Sequence, residues 1–203
     1  MADAALLARA GHCYLRAGWP HEAARCYREA REHLRAARAW ESAGNLRQAA
    51  EDYVAAGRRR QAAWLLVQHV GDAETARAVM ADADAAPAAA SDAPAPPTSR
   101  EAISALLDRL VLARCDIAEG ADPTEAVQAL RAVADYLAST PTLWFGAEIE
   151  PWAVDLARSM NRPDLAALVY AGAVRGQHHG ARDRWDEWSR RTLGVPLQPP
   201  EPT

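Results

Sequence analysis

Two stretches of this 203-residue chain carry residue types that can do chemistry. The first holds His12, Cys13, His21, Cys26 and His33. Thiolates and imidazoles are the usual ligands of zinc, but its structural sites pair them at CxxC or HxxxH spacing, so that two ligands leave one turn on the same side. None of these five residues stands in such a pair, so no metal site is assigned, and Cys26 reads as a small core residue beside Tyr27. The second stretch is Gln177-His178-His179-Gly180, with Asp183 and Asp186 close by. Adjacent imidazoles can bind metal or move protons near neutral pH. No nucleophile, third ligand or phosphate-cradling glycine loop accompanies them, so the segment reads as an exposed loop between helices. No catalytic residue and no cofactor is expected, and the chain is not read as an enzyme.

Three further groups suit contact with another protein. Arg58, Arg59 and Arg60 form the one compact basic run, in a predicted turn, where they are either solvated or meet an acidic partner. Trp144, Phe145 and Trp152 are the densest aromatic cluster outside the repeat described below; they either wedge helix layers together or, where exposed, offer an interface. Trp185 and Trp188, flanked by Arg182, Arg184, Arg190 and Arg191, read either as the apolar seal of a last helix or as a binding patch, since Trp and Arg are enriched at interface hot spots.

The elements that must position these groups are set by a repeat of 13 residues between Tyr14 and Met80. Its blocks begin at Tyr14, Tyr27, Trp40, Tyr53 and Leu66. Gly18, Gly44 and Gly57 fall four residues after their block starts, and Ala23-Ala24, Ala36-Ala37, Ala49-Ala50 and Ala62-Ala63 fall nine and ten after. Ala49, Tyr53 and Ala56 share one helix face, as do Ala23, Tyr27 and Ala30, and Ala36, Trp40 and Ala43. Small residues beside one large ring let neighbouring helices approach closely while the ring fills the gap.

A single continuous helix does not satisfy this pattern. Thirteen residues turn the chain by about 1300 degrees, roughly 220 beyond full turns, so successive rings would point to nearly opposite faces. Chain reversal restores a common core. The spacing therefore predicts antiparallel helices of about ten residues, ended by glycines that accept the left-handed conformation. Block two has Arg31 where the others have glycine, and there the alternative is a longer helix from Pro20 to Ala43.

The runs Tyr14-Leu-Arg-Ala-Gly, Trp40-Glu-Ser-Ala-Gly and Tyr53-Val-Ala-Ala-Gly, each followed by an Ala-Ala pair, resemble the tetratricopeptide-like α-solenoids of the SNAP adaptors and of vesicle-coat subunits, over residues 5–80. The spacing of 13 and 26 departs from the ~34 of the ordinary tetratricopeptide unit. The resemblance implies an all-α fold, a right-handed superhelical array of short helical hairpins over residues 1–80. It also implies a non-catalytic adaptor or scaffold that grips another protein on a concave face.

Residues 81–99 contain four prolines and no large apolar side chain, and read as a disordered linker. After it, helices are expected near 99–119, 123–138, 149–160, 163–175 and 181–192, continuing or capping the array over 100–194, with a Pro-rich tail at 195–203. Ile occurs three times and Phe once, so strands are not expected. All 23 basic residues are Arg, which together with the alanine content suggests a GC-rich bacterial genome. A net charge of −4 argues against nucleic acid as a partner. The absence of a signal-like opening or of a bilayer-length apolar run leads to the expectation of a cytoplasmic protein with reduced thiols and no membrane contact. A regulatory or sensor subunit with a ligand pocket near His178, His179 and the tryptophans is the alternative reading. The partner's identity and the oligomeric state stay open.

Overall fold

The computed structural model describes residues 3–84, 99–140 and 148–199, and these are helical with no strand among them. The chain divides into two compact units, Met1–Ser91 and Asp92–Thr203.

The first unit contains α1 (Ala4–Arg16), α2 (Pro20–Glu29), α3 (His33–Ser42), α4 (Leu46–Ala55), α5 (Arg59–Leu65), which runs into a π-helical turn at Leu66–Val70, and α6 (Ala73–Asp84). Each of α2, α3 and α4 has ten residues and is followed by a three-residue turn, which together make up the 13-residue block. Consecutive helices pack on one another from α1 through α5, and α5 packs on α6. The paired alanines are fully or nearly fully buried, as are Tyr27, Trp40 and Tyr53.

The turns show why each block opens on a large residue. Gly18, Gly44 and Gly57 have positive φ, and the residue after each donates its backbone N–H to the carbonyl of the block-opening residue: Trp19 to Tyr14 at 2.9 Å, Asn45 to Trp40 at 2.9 Å, Arg58 to Tyr53 at 2.7 Å. This is the Schellman closure, which needs a left-handed residue between the helix and the closing donor. At block two Arg31 takes that conformation itself, φ +60°, and Glu32 donates to Tyr27 at 2.9 Å. The helix therefore breaks after Glu29, and the longer helix from Pro20 to Ala43 is not formed.

Block five shows the same closure with one residue added. Gly71 lies five residues after Leu66 rather than four, and the π turn takes up the extra residue, so that Asp72 still donates to the Leu66 carbonyl at 3.0 Å. Asp72 then caps α6 by accepting from the Thr75 amide at 3.1 Å, and that bond together with Arg47 at 2.9 Å holds its carboxyl below the usual range. The helix α6 continues to Asp84, past the expected boundary at Met80. The rest of the expected linker, 85–98, lies outside the described residues.

The second unit contains α7 (Ser99–Ala118), α8 (Thr124–Ser139), α9 (Ile149–Ser159), α10 (Pro163–Arg175) and α11 (Ala181–Leu193). Asp122 caps α8 through the Thr124 amide at 2.8 Å. The Schellman closure recurs here on residues other than glycine: Asn161 and Gln177 have positive φ, while Arg162 donates to Ala157 and His178 to Ala173, both at 3.0 Å. Packing is led by α10 against α8. Gly172 allows it, because a Cβ there would stand 2.3 Å from the Ala134 carbonyl oxygen of α8.

Candidate functional site

Two arrangements in the first unit bring polar chemistry together. The first centres on Asp52, in α4, which is 3% exposed. Arg28 of α2 donates Nε to its Oδ2 at 2.7 Å, while Nη2 lies 2.7 Å from the same oxygen and donates to the Gln48 carbonyl at 3.2 Å. Trp40 of α3 donates Nε1 to the same oxygen at 3.0 Å, and His33 Nδ1 meets Oδ1 at 2.8 Å. The Arg28 guanidinium also lies 5.3 Å from the Trp40 ring centroid, and His21 meets that ring edge-on at 4.8 Å. A carboxylate beside Nδ1 is the arrangement that orients an imidazole for proton transfer. Here the same carboxylate is shared with Arg28 and Trp40, so its main effect is to tie α2, α3 and α4 together. A buried charge persists only when paired and hydrogen-bonded in this way.

Asp52 is not among the residues that type and spacing single out, although the register carries a signal. The residue before each block start is Cys13, Cys26, Ala39, Asp52 and Leu65. One acid in an otherwise uncharged column, in helices whose apolar face is this well filled, marks a position that needs partners from elsewhere in the fold.

The second arrangement is an open groove of about 670 Å³. Its apolar surface comes from Ala8 and Leu15 of α1 and from Tyr27 of α2. Arg9 stands on the α1 side, and Arg35 and Arg38 on the α3 side. Ala8, His12 and Leu15 fall at i, i+4 and i+7, so α1 lays one stripe along the groove. Gly11 lets α1 lie against Tyr27, since a Cβ there would meet the ring at 3.0 Å. The Arg35 guanidinium is 5.8 Å from the Tyr27 ring centroid and pairs with Glu32 at 2.9 Å. Burial pushes the Tyr27 hydroxyl's pKa up, with Arg35 opposing, so the ring presents a neutral phenol. Behind α3, Tyr53 donates to Glu41 Oε2 at 2.5 Å.

The groups singled out in the sequence are thus dispersed. His12 and Cys13 are exposed on the groove wall, His33 is bound to Asp52 and His21 packs on Trp40. Among the described residues no three of His, Cys, Asp and Glu gather as a metal-binding group. Arg58 is exposed at the start of α5, and Arg59 and Arg60 are half-buried. In the second unit, His178 Nε2 donates to the Leu137 carbonyl at 2.8 Å, which fixes its tautomer and joins the loop to α8. Arg184 binds Glu150 of α9 in a fork, at 2.6 and 2.8 Å, and also donates to the His179 carbonyl at 2.7 Å.

Trp185 and Trp188 are buried, with ring centroids 5.6 Å apart, and Trp188 lies against Tyr170. The segment after α11 folds back over them: the Leu197 carbonyl accepts from Trp185 Nε1 at 2.9 Å, and its amide donates to Ser189 Oγ at 3.3 Å. Burying the rings and satisfying the indole N–H both favour the folded-back tail. Trp144 and Phe145 lie outside the described residues; Trp152 is buried in α9. No helix among the described residues is long and apolar enough to cross a membrane.

Comparisons with protein-family models, with curated proteins and with solved structures each find no match.

Proposed function

We propose that this chain is a non-catalytic scaffold or adaptor, and that its first unit, a tetratricopeptide-like array of short antiparallel hairpins, binds another protein. The observation that carries the reading is the groove over Tyr27. It is open, it draws on three helices, and it joins an apolar surface to cationic walls, the mixture that protein interfaces use. The regular blocks support the same role. The turns of the first unit are closed by the same backbone bond and the block rings Tyr27, Trp40 and Tyr53 are spent on packing, which leaves the exposed faces for recognition. The polar groups best suited to chemistry also point this way, since Asp52, Arg28, His33 and Trp40 are bonded to one another. We place the protein in the cytoplasm of a bacterium, within a multi-protein assembly.

Affinity purification of the full chain from its native cell tests this. The reading expects a protein partner in stoichiometric amount. Recovery of the chain alone, carrying a tightly bound metabolite or metal, would contradict it and favour a sensor subunit.

A further inference from the structure

We infer that the groove over Tyr27 takes an acidic amphipathic helix from the partner; the inference rests on the protein-binding role proposed above. Three observations select this occupant. The first is shape. The helix α1 has 13 residues, about 20 Å of length, and presents Ala8, His12 and Leu15 as a single stripe along it. A stripe of that length matches the i, i+3, i+4, i+7 face of a docked helix.

The second is unpartnered apolar surface. Leu15 is 38% exposed on the groove, beside Ala8 of the same stripe. Among the described residues, α1 packs substantially only on α2, so Leu15 has no further helix over it.

The third is charge. Arg9 makes no ion pair among the described residues, and Arg38, whose guanidinium also lies beside the Tyr53 hydroxyl, lines the groove from α3, whereas the whole chain carries −4. A basic strip on a net acidic protein attracts an acidic ligand locally without recruiting polyanions to the rest of the surface. Glutamates on both flanks of a docked helix would face Arg9 on one side and Arg38 on the other. Its apolar face would cover Ala8, Leu15 and the edge of Tyr27.

The test uses the full chain and a fluorescein-labelled synthetic helix of about 15 residues, with leucines at i, i+3, i+4 and i+7 and glutamates on both flanks. Fluorescence anisotropy is expected to show saturable binding that weakens roughly tenfold when salt is raised past the range where surface charges still act over about 10 Å. The double substitution Arg9→Glu, Leu15→Asn changes two exposed groove residues and is expected to weaken binding at least tenfold, roughly the effect of one lost charge contact and one lost apolar contact. Arg25→Glu, on the exposed side of α2, is expected to leave it unchanged. Circular dichroism of each variant checks that the helices persist. Equal binding of a scrambled peptide, preference for a lysine-flanked version, or indifference to the double substitution would overturn the inference. So would a self-associated dimer, seen by sedimentation, that the peptide does not displace. Retention of a native partner by the doubly substituted chain defeats the groove assignment while sparing the scaffold reading; recovery of no protein partner by the unaltered chain defeats both.

Discussion

Arg28 and Asp52, separated by 24 residues in sequence, meet in a two-nitrogen contact at 2.7 Å that joins α2 to α4. Trp40 completes the tie from α3. Removing the carboxylate leaves His33 and Trp40 without their acceptor and Arg28 with only the Gln48 carbonyl at 3.2 Å and the Glu51 carboxylate at 3.7 Å. Asp52→Ala is therefore expected to cost about 1–3 kcal/mol, the range for leaving buried polar groups unpaired, because Arg28 and His33 keep 35% and 32% of their side-chain surface in water. Because the chain has two compact units, the readout should resolve them, and amide hydrogen exchange of α2–α4 peptides does so. A loss under about 1 kcal/mol, the worth of an exposed pair, would show that the network is solvated and incidental.

Arg31 performs with a side chain what glycine performs in the neighbouring blocks. Its left-handed backbone costs roughly 1–2 kcal/mol, and glycine's greater freedom in the unfolded chain returns about 0.5–1 of that. Arg31→Gly should stabilise the first unit by roughly 0.5–1 kcal/mol. The reverse change, Gly44→Arg, should destabilise by a similar amount, since nothing lies within 4 Å of a Cβ at Gly44. Opposite signs in the two variants, measured by the same exchange experiment, are the expected result; destabilisation in both would mean that Arg31 makes contacts the turn geometry does not reveal.

The second unit depends on a close approach of backbones. A methyl group at Gly172 would sit 2.3 Å from the Ala134 carbonyl oxygen, and one at Gly176 would sit 2.0 Å from that of Leu137. Neither obstacle is a flexible side chain, so α10 must shift off α8. Gly172→Ala should cost at least the 1–3 kcal/mol typical of overpacking. Exchange protection should fall in α8 and α10 together, with the α2–α4 peptides unchanged. A stability within about 0.5 kcal/mol of the parent, the range of a surface substitution, would refute this packing.

Alkaline pH probes the block rings. Burial, aided by the Glu41 hydrogen bond, pushes the Tyr53 phenol well above its ordinary 10.0. The folded state therefore keeps the proton more tightly than the unfolded one. Tyr53 contributes fully below the unfolded value, and its contribution falls as pH rises above about 10, at up to about 1.36 kcal/mol per pH unit. Tyr53→Phe should flatten that alkaline decline in unfolding experiments between pH ~10 and ~12, the window above the unfolded tyrosine value. An unchanged slope would mean that Tyr53 ionises in the folded state as readily as in water.

Much of the helical plan was legible because it is written in local chemistry. A glycine four residues after a large apolar residue marks both the stop and the carbonyl that closes it, and prolines at 20 and 163 mark helix starts. The stops at Arg31, Asn161 and Gln177 were harder to read, because a left-handed residue other than glycine is imposed by the packing on either side. The extra residue in block five was equally hidden, since a π turn absorbs it without changing residue type. The site was less legible still. His12 and Cys13 drew attention as metal ligands, yet the fold makes them part of a groove wall whose other side comes from Arg35 and Arg38. Asp52 was visible only as an acid in an uncharged column. Trp185 and Trp188 could seal a helix or face a partner, and the choice rests on a tail carbonyl at Leu197 that no helical spacing specifies.

If the groove over Tyr27 is where another protein binds, photo-crosslinking from within it captures that protein. A benzophenone amino acid placed at Leu15 of the full chain, expressed in its native cell, should on irradiation give one dominant adduct with a second protein. The same probe at Glu74, exposed on α6, should give none. Adducts from Glu74 with none from Leu15 would show that the groove over Tyr27 is not the binding face.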